Sequence, residues 1–234
     1  MRETMKRVST LLVFLVTISL PLFLGFTTIR LVIRPAFLRW EYNKAGFPPD
    51  HYGLTREQRL ELATVAVQFL ASWERPETAI QLLDAQTLEG KPLYNQRELD
   101  HMIDVKQRTD IIRYVAWAAG VVVVLGTSLL YNRIGPDGRR MSWSALLNGA
   151  ILTAGILAAI STYILVGWET FFTRFHELLF PPGTWTFSYS DSLIRLFPQK
   201  FWFDVGLILG ISPLAASIVI GAAAYWLNRR PQSA

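Results

Sequence analysis

Residues 8–29 read VSTLLVFLVTISLPLFLGFTTI, 22 consecutive positions without a charged side chain. As a helix rising about 1.5 Å per residue, such a run crosses a hydrocarbon core of roughly 30 Å. Pro21 and Gly25 lie inside it, and a kink there is tolerated where neighbouring helices satisfy the freed backbone groups. Arg2, Lys6 and Arg7 precede the run, which is also how a secretory signal begins. The apolar stretch is longer than a usual signal core and no clear small-x-small cleavage site follows. It therefore reads as a retained span.

Three further runs are similarly apolar: Ile111–Tyr131, with Arg113 near one end, Leu146–Val166, without a charge, and Phe203–Leu227, with Asp204 at its start and Pro213 inside it. The chain of 234 residues is 51% hydrophobic and 18% charged, below the roughly 25% charged content of soluble domains. The expected fold is all-α: four transmembrane helices with a mainly helical extracytoplasmic cap between the first two. This divides the chain into 1–33, 34–110, 111–131, 132–145, 146–167, 168–202 and 203–234. Gly206 and Gly210, and Ala150, Ala154 and Ala158, recur at intervals of four, a spacing that lets helix backbones approach closely.

The short segments fix an expected orientation. Arg2, Lys6, Arg7, Arg133, Arg139, Arg140, Arg229 and Arg230 flank the spans on one side, against Glu3 and Asp137 alone. Segment 34–110 carries ten basic and twelve acidic residues, and 168–202 carries three of each. The positive-inside rule then puts both termini and the Asn132–Ser144 loop in the cytoplasm. Trp143, Trp168, Trp202 and Trp226 stand near span ends, where interfacial anchors belong. The net charge of +5 is accounted for by topology and implies no nucleic-acid partner.

In the first external segment, Thr55 and Gln58 have the form of a capping box opening a helix from Arg56 to about Ser72. Leu62, Val65, Ala66, Phe69 and Leu70 give that helix an apolar face. A short helix is expected around Glu77–Leu83, and Gly90-Lys91-Pro92 breaks the chain. Another helix, Asn95–Asp110, then runs into the second span. In the second external segment, Trp185, Phe187 and Tyr189 alternate as in a strand, and Ser190 or Asp191 can cap a short helix that runs through Phe197 and is closed by Pro198. Segments this apolar suit an interfacial or re-entrant floor.

There is no cysteine, so a thiol nucleophile, disulfides and thiolate metal sites are excluded. The three histidines, His51, His101 and His176, all fall in the external segments. Glu98 and Asp104 lie three residues either side of His101 on one helix face, so either carboxylate can orient its imidazole. His176 sits among Phe171, Phe172 and Phe175, a setting that keeps imidazole neutral and fit to act as a general base. His51, in a polar loop, reads as a surface residue. Zinc on the three histidines with Asp104 or Glu177 is the competing chemistry, without an HExxH motif to support it.

Two ordered motifs resemble a known family. Gly90-Lys91-Pro92-Leu93-Tyr94 with Glu98-Leu99-x-His101-Met102-x-Asp104-Val105-Lys106 is similar to the first signature of the bacterial lipoprotein intramolecular transacylases (Lit). Phe175-His176-x-Leu178-x-Phe180, Trp185, Asp191-x-Leu193-Ile194 and Phe197-Pro198-x-x-Phe201 resemble the second. Gln199 departs from the pattern, which has an acidic residue there. The resemblance implies an acyltransferase without a cofactor, acting on diacylated lipoproteins at the membrane. The sn-2 acyl chain moves to the amine of the N-terminal cysteine, with His101 and His176 as the essential pair. His176 is then the choice for the base, Glu98 or Asp104 the support of His101, and Arg174 a neutralising group for the oxyanion, with Asp191 in a supporting place. The alternatives are a lipoprotein-binding membrane chaperone without turnover and a metal-dependent lipid hydrolase.

Overall fold

The computed structural model describes residues 2–133 and 135–229. Arg230, and the side chains of Arg2 and Arg133, which entered the orientation argument, lie outside what is described. The elements are α1 (Arg2–Val32), α2 (Pro35–Tyr42), α3 (Arg56–Ala71), α4 (Pro76–Ala79), α5 (Gln81–Asp84), β1 (Thr87–Leu88) and β2 (Lys91–Pro92). They are followed by α6 (Gln96–Arg133), α7 (Gly135–Val166), α8 (Trp168–Leu179), α9 (Ser192–Leu196) and α10 (Gln199–Arg229).

Among the described residues, α1, α6, α7 and α10 are long and apolar enough to cross a membrane, with best windows of mean hydropathy between 1.8 and 2.2. Leu11, Phe14, Val124, Ile151 and Val219 on them are more than half exposed. Lipid, not protein, is the surrounding that such faces require. α6 has 38 residues and a length of about 57 Å, so roughly 20 residues suffice for the span. Residues 111–131, where the sequence puts the span, and 96–110 before them belong to this one helix.

The segment expected as the loop at 132–145 is largely helical. Gly135-Pro136-Asp137 opens α7: proline suits a first helical turn, and an acidic side chain there complements the helix dipole. Nothing from 138 to 145 interrupts the ladder, and Arg139 and Arg140 are exposed positions on the helix surface.

The chain forms two compact units. One comprises Met1–Thr28, Ile112–Thr162 and Ile208–Ala234. Val16, Leu130 and Ala145 are its fully buried centre, packed by Leu12, Val13, Met141 and Leu146. Of the small residues picked out by spacing, Ala150 faces Gly221, and Gly210 lies against Ser161; Ala158 is exposed. α1 and α7 lie close together at Gly149, where a β-carbon would sit 2.9 Å from Cβ of Leu20 and 3.1 Å from the Thr17 carbonyl oxygen. A helix backbone cannot yield as a side-chain tip does. Gly149→Ala is therefore expected to lose about 1–3 kcal/mol despite alanine's better helix propensity. Denaturant unfolding in detergent checks this; an unchanged midpoint would mean the helices separate freely.

The other unit comprises Ile29–Ile111 and Tyr163–Leu207. Its core includes Leu38, Tyr42, Ala63, Ala66, Phe69, Leu83, Leu99, Met102, Leu193, Leu196 and Phe197. The capping box at Thr55 and Gln58 is formed as expected. The buried positions of α3 are Arg59, Ala63, Ala66, Val67 and Phe69, so the inward face is rotated from the one the apolar pattern gave, with Leu62 and Val65 only partly covered. Arg59 explains the rotation. It is 2% exposed, donates to the carbonyls of Arg195 and Pro48, and lies over the rings of Tyr42 and Phe47. Its own desolvation is offset by hydrogen bonds and aromatic faces. Asp50 in turn receives the Arg195 guanidinium at 3.0 and 3.2 Å.

The break at Gly90 is a hairpin: Thr87 pairs with Pro92 and Leu88 with Lys91. Glu89 and Gly90 at its tip both have positive φ, 52° and 76°, as a two-residue primed turn demands. Trp185, Phe187 and Tyr189 do not form the strand that their alternation suggested. Without a partner strand to accept its ladder, an alternating stretch has nothing to pair with.

Candidate active site

The second unit assembles an aromatic cage around two imidazoles. His101 lies in the second turn of α6 and His176 in the last turn of α8. Both rings pack on Phe180, with centroids 4.9 Å away for His101 and 5.7 Å for His176. Phe187 closes over His101 at 5.3 Å. Phe172, Phe175 and Trp185 surround His176 at 4.1, 5.4 and 4.9 Å. Arg108 Nε donates to the Leu179 carbonyl at 3.3 Å, fixing the end of α8 against α6.

The cage sets the protonation states. His101 is 8% exposed, and its pKa is pushed down to about 4, by burial first and then by the nearby His176. His176 is also lowered, by burial, against an opposing contribution from its bond to the Phe172 carbonyl. Both are neutral at pH 7. The carbonyl of Phe172, 2.7 Å from His176 Nδ1, can only accept, so Nδ1 carries the proton and Nε2 keeps its lone pair. That tautomer is the one a general base needs. His101 Nδ1 is buried and has no hydrogen-bond partner among the described residues; nor has Trp185 Nε1.

The supporting residues fall differently from the expectation. Glu98 does not hold His101. Its Oε2 accepts the Asn95 amide and its Oε1 the Leu193 amide, while Asn95 Oδ1 accepts the Glu98 amide. Spacing put Glu98 and His101 on neighbouring positions of α6, but a carboxylate so close to the helix start meets free backbone N–H groups first. Asp104 makes no hydrogen bond to His101 either. Asp191 stands at the N-cap position of α9, yet its side chain reaches the Ser188 amide, Arg97 and Asn95 and does not itself cap α9, whose Leu193 amide goes to Glu98. Arg174 pairs with Glu177 at 2.9 Å with both side chains largely exposed, too wet to serve a buried oxyanion. Arg174→Ala is expected to change turnover less than twofold, because such surface pairs contribute about 0–1 kcal/mol. A larger loss would return Arg174 to the chemistry.

His51 is exposed. Among the described residues, no three His, Asp or Glu side chains are grouped to hold a metal ion. A shallow depression of about 390 Å³, lined by residues including Tyr94, Asn95, Glu98, Asp191 and Ser192, is not bordered by either histidine. The cage partners Phe180, Trp185 and Phe187 were not legible as such from spacing; their only signal was that two of them stand in the second motif. Lys106 of the first motif is fully buried and structural, its Nζ bonding the Ser72 carbonyl and Asp110.

Comparison with known proteins gives consistent matches. The family model for lipoprotein intramolecular transacylase Lit matches residues 14–202. An uncharacterized protein of Aquifex aeolicus is 30% identical over 197 residues, covering 82% of each chain. The crystal structure of the membrane-integral lipoprotein intramolecular transacylase Lit from Bacillus cereus superposes with a TM-score of 0.77 at 22% identity, over 95% of this chain and 96% of that one. A histidine-to-alanine variant of the same protein gives 0.72 at 20% identity, over 96% of each.

Proposed function

The chain belongs to the lipoprotein intramolecular transacylase family, Lit, and from that premise we propose that it moves the sn-2 acyl chain of a diacylglyceryl-cysteine lipoprotein to the lipoprotein's own N-terminal amine. The observation that carries the reading is the pair of neutral imidazoles, His101 and His176, both packed on one phenylalanine, Phe180.

The reaction asks little beyond such a pair. Amine and ester belong to one molecule, so holding them in an attacking geometry replaces a bimolecular encounter. The amine nitrogen attacks the sn-2 carbonyl carbon while His176 Nε2 takes its proton. The C–N bond forms, the ester C–O bond breaks, and the proton taken by His176 passes to the departing sn-2 oxygen. Neutral His101 steadies that oxygen by hydrogen bonding and changes no charge in the cycle. Nothing leaves the substrate, and the product is its isomer. The aromatic walls keep water from competing for the acyl group.

Location supports the same reading. Phe175 and Leu178 on α8 are 45% and 83% exposed, an apolar face suited to the headgroup boundary where a glyceryl ester lies. His101 is ten residues, about 15 Å, from the start of the span on α6. With the short-segment cations of 1–7 and 139–140 inside, both termini face the cytoplasm and the histidines face the opposite side.

Purified protein with a synthetic diacylated lipopeptide is expected to give a product of unchanged mass whose fragmentation places one acyl group on nitrogen. Retention of that isomerisation in both His101→Ala and His176→Ala would sink the mechanism.

A further inference from the structure

The transfer passes through a tetrahedral carbon whose carbonyl oxygen has become an oxyanion, and that charge needs a donor. Arg174 is exposed and paired with Glu177. Lys106 is engaged by Asp110 and Ser72. Besides His101, already given to the leaving oxygen, one donor in the cage is unclaimed. The indole N–H of Trp185 is buried and unpartnered among the described residues, and an indole nitrogen can only donate. Leaving it so costs about 1–3 kcal/mol, and a folded protein with no use for the nitrogen would gain by placing phenylalanine there. The indole stacks on His176 at 4.9 Å and 33°, so the N–H lies beside the ring proposed to take the amine proton. Residues 181–190 around it form neither helix nor strand. An arriving acyl group can therefore displace the indole without breaking a hydrogen-bonded ladder.

We propose that Trp185 is a catalytic residue of the acyl transfer, its Nε1–H donating to the sn-2 carbonyl oxygen as it becomes the oxyanion. This rests on the transacylase reading of the site. When the amine's electron pair forms the C–N bond, the carbonyl π pair moves onto the oxygen facing Trp185. It returns when the C–O bond to glycerol breaks. Trp185 gives up no proton in the cycle and adds only a bond that strengthens as charge develops.

Trp185→Phe keeps the ring and deletes the donor. With the diacylated lipopeptide, kcat is expected to fall on the order of 10²-fold, with KM within twofold of wild type and an unfolding midpoint that is unchanged or higher. An undiminished kcat, or a loss confined to KM, overturns the proposal. Should the phenylalanine variant unfold early, 3-benzothienylalanine at position 185, which replaces only the N–H by sulfur, decides by the same two readings. If wild-type protein makes no N-acyl product, the transacylase reading fails and this inference with it. Wild-type turnover beside an equally active donorless variant removes the inference alone.

Discussion

His176→Ala is expected to lower the rate of acyl transfer about 10³-fold, within the 10²–10⁴ range that a positioned general base contributes. The substrate should still bind, because its acyl chains are held by apolar surface and not by one imidazole. His176→Gln should fare no better: its amide has no lone pair basic enough to take a proton from an amine. The pH profile carries a second expectation. Burial lowers the pKa of His176 beneath its ordinary 6.5, so the base is in its active neutral form at and above that pH. In kcat/KM, which reports the free enzyme's groups, this base should therefore add an acid limb below pH 6.5, lower than an exposed histidine would give. The competing proton is on the substrate: a free α-amine has a pKa of about 7.7–8.0, so kcat/KM should rise through that range until the amine is neutral. A rate independent of pH between 5 and 7, coupled with full activity of His176→Ala, would show that the imidazole carries no proton.

Much of the fold was legible because lipid makes a simple demand. An apolar run of some 20 residues with at most one charge near its end has few alternatives to a spanning helix, and residues 8–29, 111–131, 146–166 and 203–227 all lie within long helices. The ends were less legible. Arginines at 139 and 140 mark a segment that stays in water, but they do not stop a helix, and α7 runs straight through them. The burial of Arg59 was invisible for a related reason: its value depends on the carbonyls of Pro48 and Arg195, the second 136 residues away. The histidine pair was a family resemblance before it was a geometry. Nothing in local periodicity joins position 101 to 176; Phe180 does so only once α6 and α8 are folded into one unit.

Glu98 shows what that folding requires, and Glu98→Ala is expected to cost about 2–4 kcal/mol, the sum of two orphaned amides at roughly 1–2 kcal/mol each. The residue is 1% exposed, and its carboxyl is raised above the usual range by burial, despite the backbone N–H groups that pull the other way. Its two oxygens do separate tasks: one closes the start of α6 through the Asn95 amide, and the other receives Leu193 at the first turn of α9. Ser192 adds a bond to the Leu93 carbonyl at the same junction. The two sequence motifs are thus stitched together three residues before His101, by backbone groups and not by contact with the imidazole. Activity should fall with stability in Glu98→Ala, at least tenfold, because His101 rides on the turn that has lost its cap. Glu98→Gln should lie between, since the amide oxygen can serve one N–H while its NH₂ would point at the other. Asp104→Ala, at the mirror position beyond His101, should leave both stability and turnover near wild type. Denaturant midpoints and initial rates for the three variants settle the matter. If Glu98→Ala folds as well as wild type yet loses all activity, Glu98 acts on the reacting groups directly. If Asp104→Ala is the damaging change, the support of His101 comes from the side that the spacing first allowed and the structure leaves empty.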